Sequence, residues 1–149
     1  MIYRETWLTC IAFKKIEEEI IAYLKEKMVR GGTTALCTVF DKREVYTANL
    51  GDCQIVVFQK NSFRNLSTLH DYFNEEERKT IEQKGGIILK NRLEGELALS
   101  RSIGDYKYKK YLSSEPEITT HQLKDEDEYI ILATDGFWNV RFCVNSPQG

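Results

Sequence analysis

Apolar residues recur at helical spacing up to Met28 and at strand spacing from Thr34 onward, with Arg30-Gly31-Gly32 between the two regimes. In the first regime Phe13, Ile16, Ile20, Leu24 and Met28 form a stripe, and Lys14, Lys15, Glu17, Glu18 and Glu19 fall mostly off it. This pattern predicts one long amphipathic helix over Trp7–Met28, closed by glycines that tolerate the backbone of a helix end. In the second regime Thr34–Phe40, Glu44–Leu50 and Gln54–Gln59 are rich in Val, Ile, Thr, Tyr and Phe. The short links Asp41-Lys42-Arg43 and Gly51-Asp52 predict that these three strands pair antiparallel as a meander. A second helix is expected to start at Asn74, with Glu77 reaching back to complete the cap and Gly85-Gly86 ending it. Ile87–Leu89, Glu96–Ser100 and Tyr129–Ala133 read as further strands, the last nearly all apolar and expected to be central and buried on both faces. Helix, strands, helix, strands is an α+β order and not a chain of βαβ units.

The 149 residues amount to a single domain's length and span. With 42% hydrophobic and 30% charged residues the balance is that of a globular chain. Twenty-one basic against 23 acidic residues give a net charge of −2, which argues against nucleic acid or an anionic membrane surface as a partner. No apolar run reaches the roughly 18 residues of a membrane span, so no membrane is expected. Cys10, Cys37, Cys53 and Cys143 form no CxxC pair and no His/Cys cluster. They are read as reduced thiols in an intracellular protein, cytoplasmic or nuclear, and not as a zinc site.

Three aspartates stand where strands give way to turns: Asp52 after Ala-Asn-Leu-Gly, Asp105 after Ser-Arg-Ser-Ile-Gly, and Asp135 before Gly-Phe-Trp. Carboxylates at strand ends suit hard cations such as Mg²⁺ and Mn²⁺, which take oxygen ligands and keep several waters. Asp-Gly pairs are equally the chemistry of plain turns. From the residues alone both readings of Asp52 and Asp135 stand.

Five segments, in order, resemble the metal-dependent serine/threonine protein phosphatases of type 2C. They are Gly31-Gly32-Thr33-Thr34-Ala35, Ala48-Asn49-Leu50-Gly51-Asp52, Glu77–Gly86, Gly95 through Asp105, and Ile130 through Trp138. Glu115-Pro116-Glu117-Ile118 adds a sixth similarity, and the match runs over roughly residues 31 to 140. The resemblance implies two stacked antiparallel sheets flanked by helices, with two Mg²⁺ or Mn²⁺ ions in a cleft at one end. There they activate a water that hydrolyses phosphoserine or phosphothreonine in a phosphoprotein substrate. It implies that Asp135 is a core metal ligand, that Asp52 shares a third, weaker metal with it, and that Asp105 anchors a loop.

The sequence departs from the family pattern as well. The Asp-Gly-His-Gly-Gly motif, the phosphate-holding arginine and the Asp-Asn pair of the family are not found in it, and Asn139 stands where the family has aspartate. Leu69 likewise replaces an aspartate before His70. The expectation is therefore a single incomplete phosphatase-like domain over 1–149, a fragment or isoform inactive by itself. The alternative is a pseudophosphatase that binds a protein partner. Bland roles are expected elsewhere. Glu75–Glu77 should favour a helix dipole, and Asp125–Glu128 should be a solvated loop. The resemblance implies that Lys107, Lys109 and Lys110 with Tyr106, Tyr108 and Tyr111 form an exposed flap, with docking of a phosphopeptide as the alternative use of their charge. Trp138 should be core, and His70 and His121 should have surface or packing roles. Open sheet edges should make the chain prone to self-association.

Overall fold

The computed structural model describes residues 2–141 and the side chains of residues 9–139. The elements in chain order are α1 (Ile2–Glu26), β1 (Gly32–Thr33), β2 (Ala35–Asp41), β3 (Glu44–Leu50), β4 (Gln54–Gln59), β5 (Ser62–Asn65), α2 (Glu75–Gln83), β6 (Ile88–Leu89), β7 (Arg92–Leu93), β8 (Ile103–Gly104), β9 (Glu117–Gln122), β10 (Asp127–Ala133) and α3 (Asp135–Arg141). Two three-stranded antiparallel sheets dominate, in the orders β2-β3-β9 and β10-β4-β5. Two further short pairs, β1 with β8 and β6 with β7, tie down the connecting segments. This is the α+β arrangement of antiparallel sheets and helices expected from the sequence.

The chain's own periodicity explains which faces are covered. β3 and β4 are the most buried of the long strands, with Val45, Leu50, Ile55, Val56 and Val57 fully inaccessible. Burying such a side chain contributes roughly 1.5–3 kcal/mol. Phe13 of α1 packs with Ala48, Leu50 and Ile103 in one core cluster. A second cluster joins Tyr72, Ile81 of α2, Leu93, Tyr108, Tyr111 and Leu112. Glu17, on the buried side of α1, accepts the Gly104 N–H at 2.7 Å and pairs with Lys109 at 2.8 Å. A charged helix residue thereby holds β8 against α1.

Several local expectations need correction. The predicted meander breaks after two strands. β3 pairs with β2 and β9, while β4 pairs with β10 and β5. Gly51, Asp52 and Cys53 are therefore the link between two sheets and not a hairpin turn. β10 is an edge strand, with Tyr129 67% exposed, and not a strand buried on both faces. Ile130, Ile131 and Ala133 are half-buried and Leu132 is exposed, an edge position that an apolar run does not distinguish from full burial. Glu96–Ser100 forms no strand and makes isolated bridges through Leu97 and Leu99.

The Lys/Tyr segment is not an exposed flap. Tyr108 and Tyr111 are buried, Lys109 pairs with Glu17, and Lys107 pairs with Glu96. His70 and His121 are both buried, which leaves packing and not surface as their setting. Within Asp125–Glu128, Asp127 opens β10 and its carboxylate bonds His121 Nε2 at 2.8 Å and Gln59 Nε2 at 2.8 Å. Trp138 is buried as expected, its indole N–H donating to the Ala133 carbonyl at 2.9 Å.

Candidate metal site

Two chain crossings place Asp52 and Asp135 at one end of the paired sheets. Asp52 lies on the link from β3 to β4. Ala133, the last residue of β10, pairs with Gln54, the first of β4, so Asp135 leaves its strand beside that link. The link has a special backbone. Gly51 has φ +106°, and a Cβ there would lie 2.3 Å from Thr34 Cγ2, so glycine is required both by angle and by space.

The electrostatics of this corner are those of crowded carboxylates. Burial raises the Asp52 carboxyl above its ordinary value, and the charges of Asp135 and then Asp71 add to the rise. Its own backbone N–H pulls the other way. Asp71 was not singled out from the sequence. Its Oδ1 accepts the N–H groups of Phe73 (2.9 Å) and Asn74 (3.2 Å), an Asx turn leading into α2. Asn74 then caps that helix through the Glu76 and Glu77 N–H groups, as expected.

Beneath the link lies a buried polar layer. The Gly51 N–H donates to His70 Nδ1 at 3.1 Å, and the Gly51 carbonyl accepts the His70 backbone N–H at 3.1 Å. Asn49 Nδ2 donates to the Gly51 carbonyl at 3.3 Å and to the Thr68 carbonyl at 2.8 Å. Burial, and then the nearby Arg101 charge, lower the His70 pKa and favour the neutral ring. Glu77 does not reach back to the helix cap, contrary to expectation. It accepts from Ser100 Oγ at 2.5 Å and from Arg101 Nη2 at 2.5 Å. Burial raises the Glu77 carboxyl, but these bonds outweigh it and the net direction is downward.

Asp105 is engaged with the Gly31-Gly32 segment. Its backbone, at φ 48°, donates to the Gly31 carbonyl at 2.7 Å, and its carboxylate lies against Gly32, where a Cβ would come within 2.0 Å of Oδ2. That position suits the loop-anchoring role.

The donor chemistry of Asp52 and Asp135 fits a single hard divalent cation. Both offer carboxylate oxygen, and at Asp52 burial and the like charges of Asp135 and Asp71 outweigh the lowering by its own backbone N–H. It does not fit two adjacent ions. Among the described residues no group of three or more His, Cys, Asp or Glu side chains is placed to hold a metal. Asn139, exposed one turn beyond Asp135 on α3, offers a neutral amide. Also among the described residues, no helix is long and apolar enough to cross a membrane.

Comparison with known proteins agrees with this architecture. Over 134 residues the chain is 35% identical to protein phosphatase 2C homolog 2 of Aspergillus flavus, an alignment covering 84% of the chain and 28% of that protein. Over 139 residues it is 34% identical to human protein phosphatase 1B, covering 86% and 29%. The chain thus spans about three-tenths of the length of these relatives. Among solved structures, a C. elegans sex determining protein superposes with a TM-score of 0.81 at 27% identity, over 91% of this chain and 38% of that one. The serine-threonine phosphatase 2C of Toxoplasma gondii shares the fold, with a TM-score of 0.74 at 24% identity over 86% and 49%. The family profile described as protein phosphatase 2C matches residues 9–141, and the chain belongs to that family.

Proposed function

We propose that the chain is a segment of a metal-dependent protein serine/threonine phosphatase and supplies one wall of its metal cleft. Asp135 and Asp52 are the metal-binding carboxylates, taking Mg²⁺ or Mn²⁺. The observation that carries this reading is the register of β10 on β4, which sets Ala133 opposite Gln54 and so brings Asp135 out beside the link that holds Asp52. In the whole protein such ions supply an activated water for hydrolysis of phosphoserine and phosphothreonine in protein substrates. Two carboxylates do not hold two dications about 4 Å apart, so the chain by itself is inactive. The free thiols Cys10, Cys37 and Cys53 suit an intracellular, cytoplasmic or nuclear, setting.

The test is hydrolysis of a phosphothreonine peptide by the chain with Mn²⁺, beside Asp135→Ala. The expected result is no turnover that depends on Asp135, while Mn²⁺ binding does depend on it. Turnover abolished by the substitution contradicts the inactive reading. A pseudophosphatase that binds a protein partner is the second reading, favoured by Leu69 and Asn139 where the family pattern has acids. A full-length protein that binds phosphopeptide but does not hydrolyse it with Mn²⁺ present would support that alternative.

A further inference from the structure

We propose that His70 is a positioning residue, whose Nδ1 holds the Gly51 amide and so fixes the turn from which Asp52 reaches a cation. The inference rests on the metal reading of Asp52 given above. The Gly51 peptide is gripped from both sides, its N–H by His70 Nδ1 and its carbonyl by the His70 N–H and by Asn49 Nδ2. A backbone N–H only donates, so Nδ1 is the bare nitrogen and the ring proton sits on Nε2. That Nε2 is buried with no partner among the described residues, and His70 is 1% exposed.

An unpartnered buried N–H is unfavourable, and an apolar side chain of similar volume at position 70 would avoid it. What an apolar side chain cannot supply is the acceptor for Gly51. The need for an acceptor is local, because Gly51 at φ +106° is the most conformationally free residue type at the bend that carries Asp52. Supporting contacts of this kind orient the residues that ligate a metal. The clamp is itself anchored, since the His70 carbonyl accepts the Ser100 N–H at 3.0 Å, and Ser100 Oγ bonds Glu77.

The experiment compares His70→Asn with His70→Gln in the full chain. Asparagine places its carbonyl oxygen where Nδ1 stands, whereas glutamine places its amide near the Nε2 position. Amide hydrogen exchange at Gly51 and Mn²⁺ titration are read on both, with cooperative thermal unfolding as the folding control. His70→Asn is expected to keep Gly51 protected and Mn²⁺ affinity within about threefold of wild type. His70→Gln is expected to lose the protection and about tenfold in affinity. A folded His70→Gln chain with unchanged protection and affinity overturns the positioning role and leaves the metal reading intact. A wild-type chain that binds no Mn²⁺ overturns the metal reading instead. If His70→Gln does not fold, the scalar coupling between Gly51 ¹⁵N and His70 ¹⁵Nδ1 in the wild type decides. Its presence supports the clamp, and its absence overturns it.

Discussion

Arg101 grips Glu77 across 24 residues of chain, through Nη2 at 2.5 Å and Nε at 3.1 Å, and joins α2 to the segment that precedes β8. Both side chains are mostly buried, at 25% and 12% exposure. Ser100 adds a third donor to the same carboxylate, and the Arg101 Nη1 donates to the Glu115 carbonyl at 3.2 Å. Removing one partner of such a pair leaves the other charge poorly solvated. Glu77→Ala is therefore expected to lower unfolding stability by about 2–4 kcal/mol, measured by urea titration. Arg101→Met together with Glu77→Leu should recover part of that loss, because replacing both charges removes the unpaired one.

At the other end of the sheets, Asp127 contributes to acid sensitivity. Burial pushes its carboxyl up, but hydrogen bonds from the Lys124 backbone, Gln59 and His121 outweigh this and hold it at about 2. Its ordinary value is 3.8. A folded-state value below the unfolded one contributes stability that is fully present above the unfolded value and is lost as pH falls toward the folded one. The stability difference between wild type and Asp127→Asn is thus expected to shrink between about pH 4 and 2. Urea midpoints across that range give the check.

β10 and β5 are the outer strands of their sheet, and β10 carries Tyr129 and Leu132 at 67% and 40% exposure. Unpaired strand groups beside exposed apolar side chains template association with another chain. The chain is expected to self-associate in a concentration-dependent way on size exclusion, and Tyr129→Lys with Leu132→Lys should shift it toward monomer. A monodisperse wild-type monomer over the same concentrations is the contrary result.

How far the sequence revealed this arrangement depends on whether a feature is local. β3 and β4 were legible to the residue, because Val, Ile, Thr and Tyr runs end at glycine and at Asp41-Lys42-Arg43. The Asn74 cap was legible because the N–H groups that its side chain accepts from lie two and three residues on. The sheet switch at Gly51 was not, since the three-residue link Gly51–Cys53 reads as a hairpin unless strand partners are known. The roles of Glu17 and Glu77 were not legible either: their partners lie 87 and 24 residues away, and spacing carries no information across such distances. For the candidate site, the family-like segments pointed to Asp52 and Asp135, and the structure places both at one end of the sheets. Asp71 stayed hidden because its only local signal is an Asx turn.

Cation binding at Asp52 and Asp135 is what makes this end of the sheets a metal site. Isothermal titration of Mn²⁺ into the wild-type chain, Asp135→Ala and Asp52→Asn measures it, with folding of each variant verified by thermal unfolding. Saturable binding that Asp135→Ala removes and Asp52→Asn weakens by about tenfold or more is the expected result. Wild-type binding that survives both substitutions, or a folded wild-type chain that binds no Mn²⁺, contradicts it.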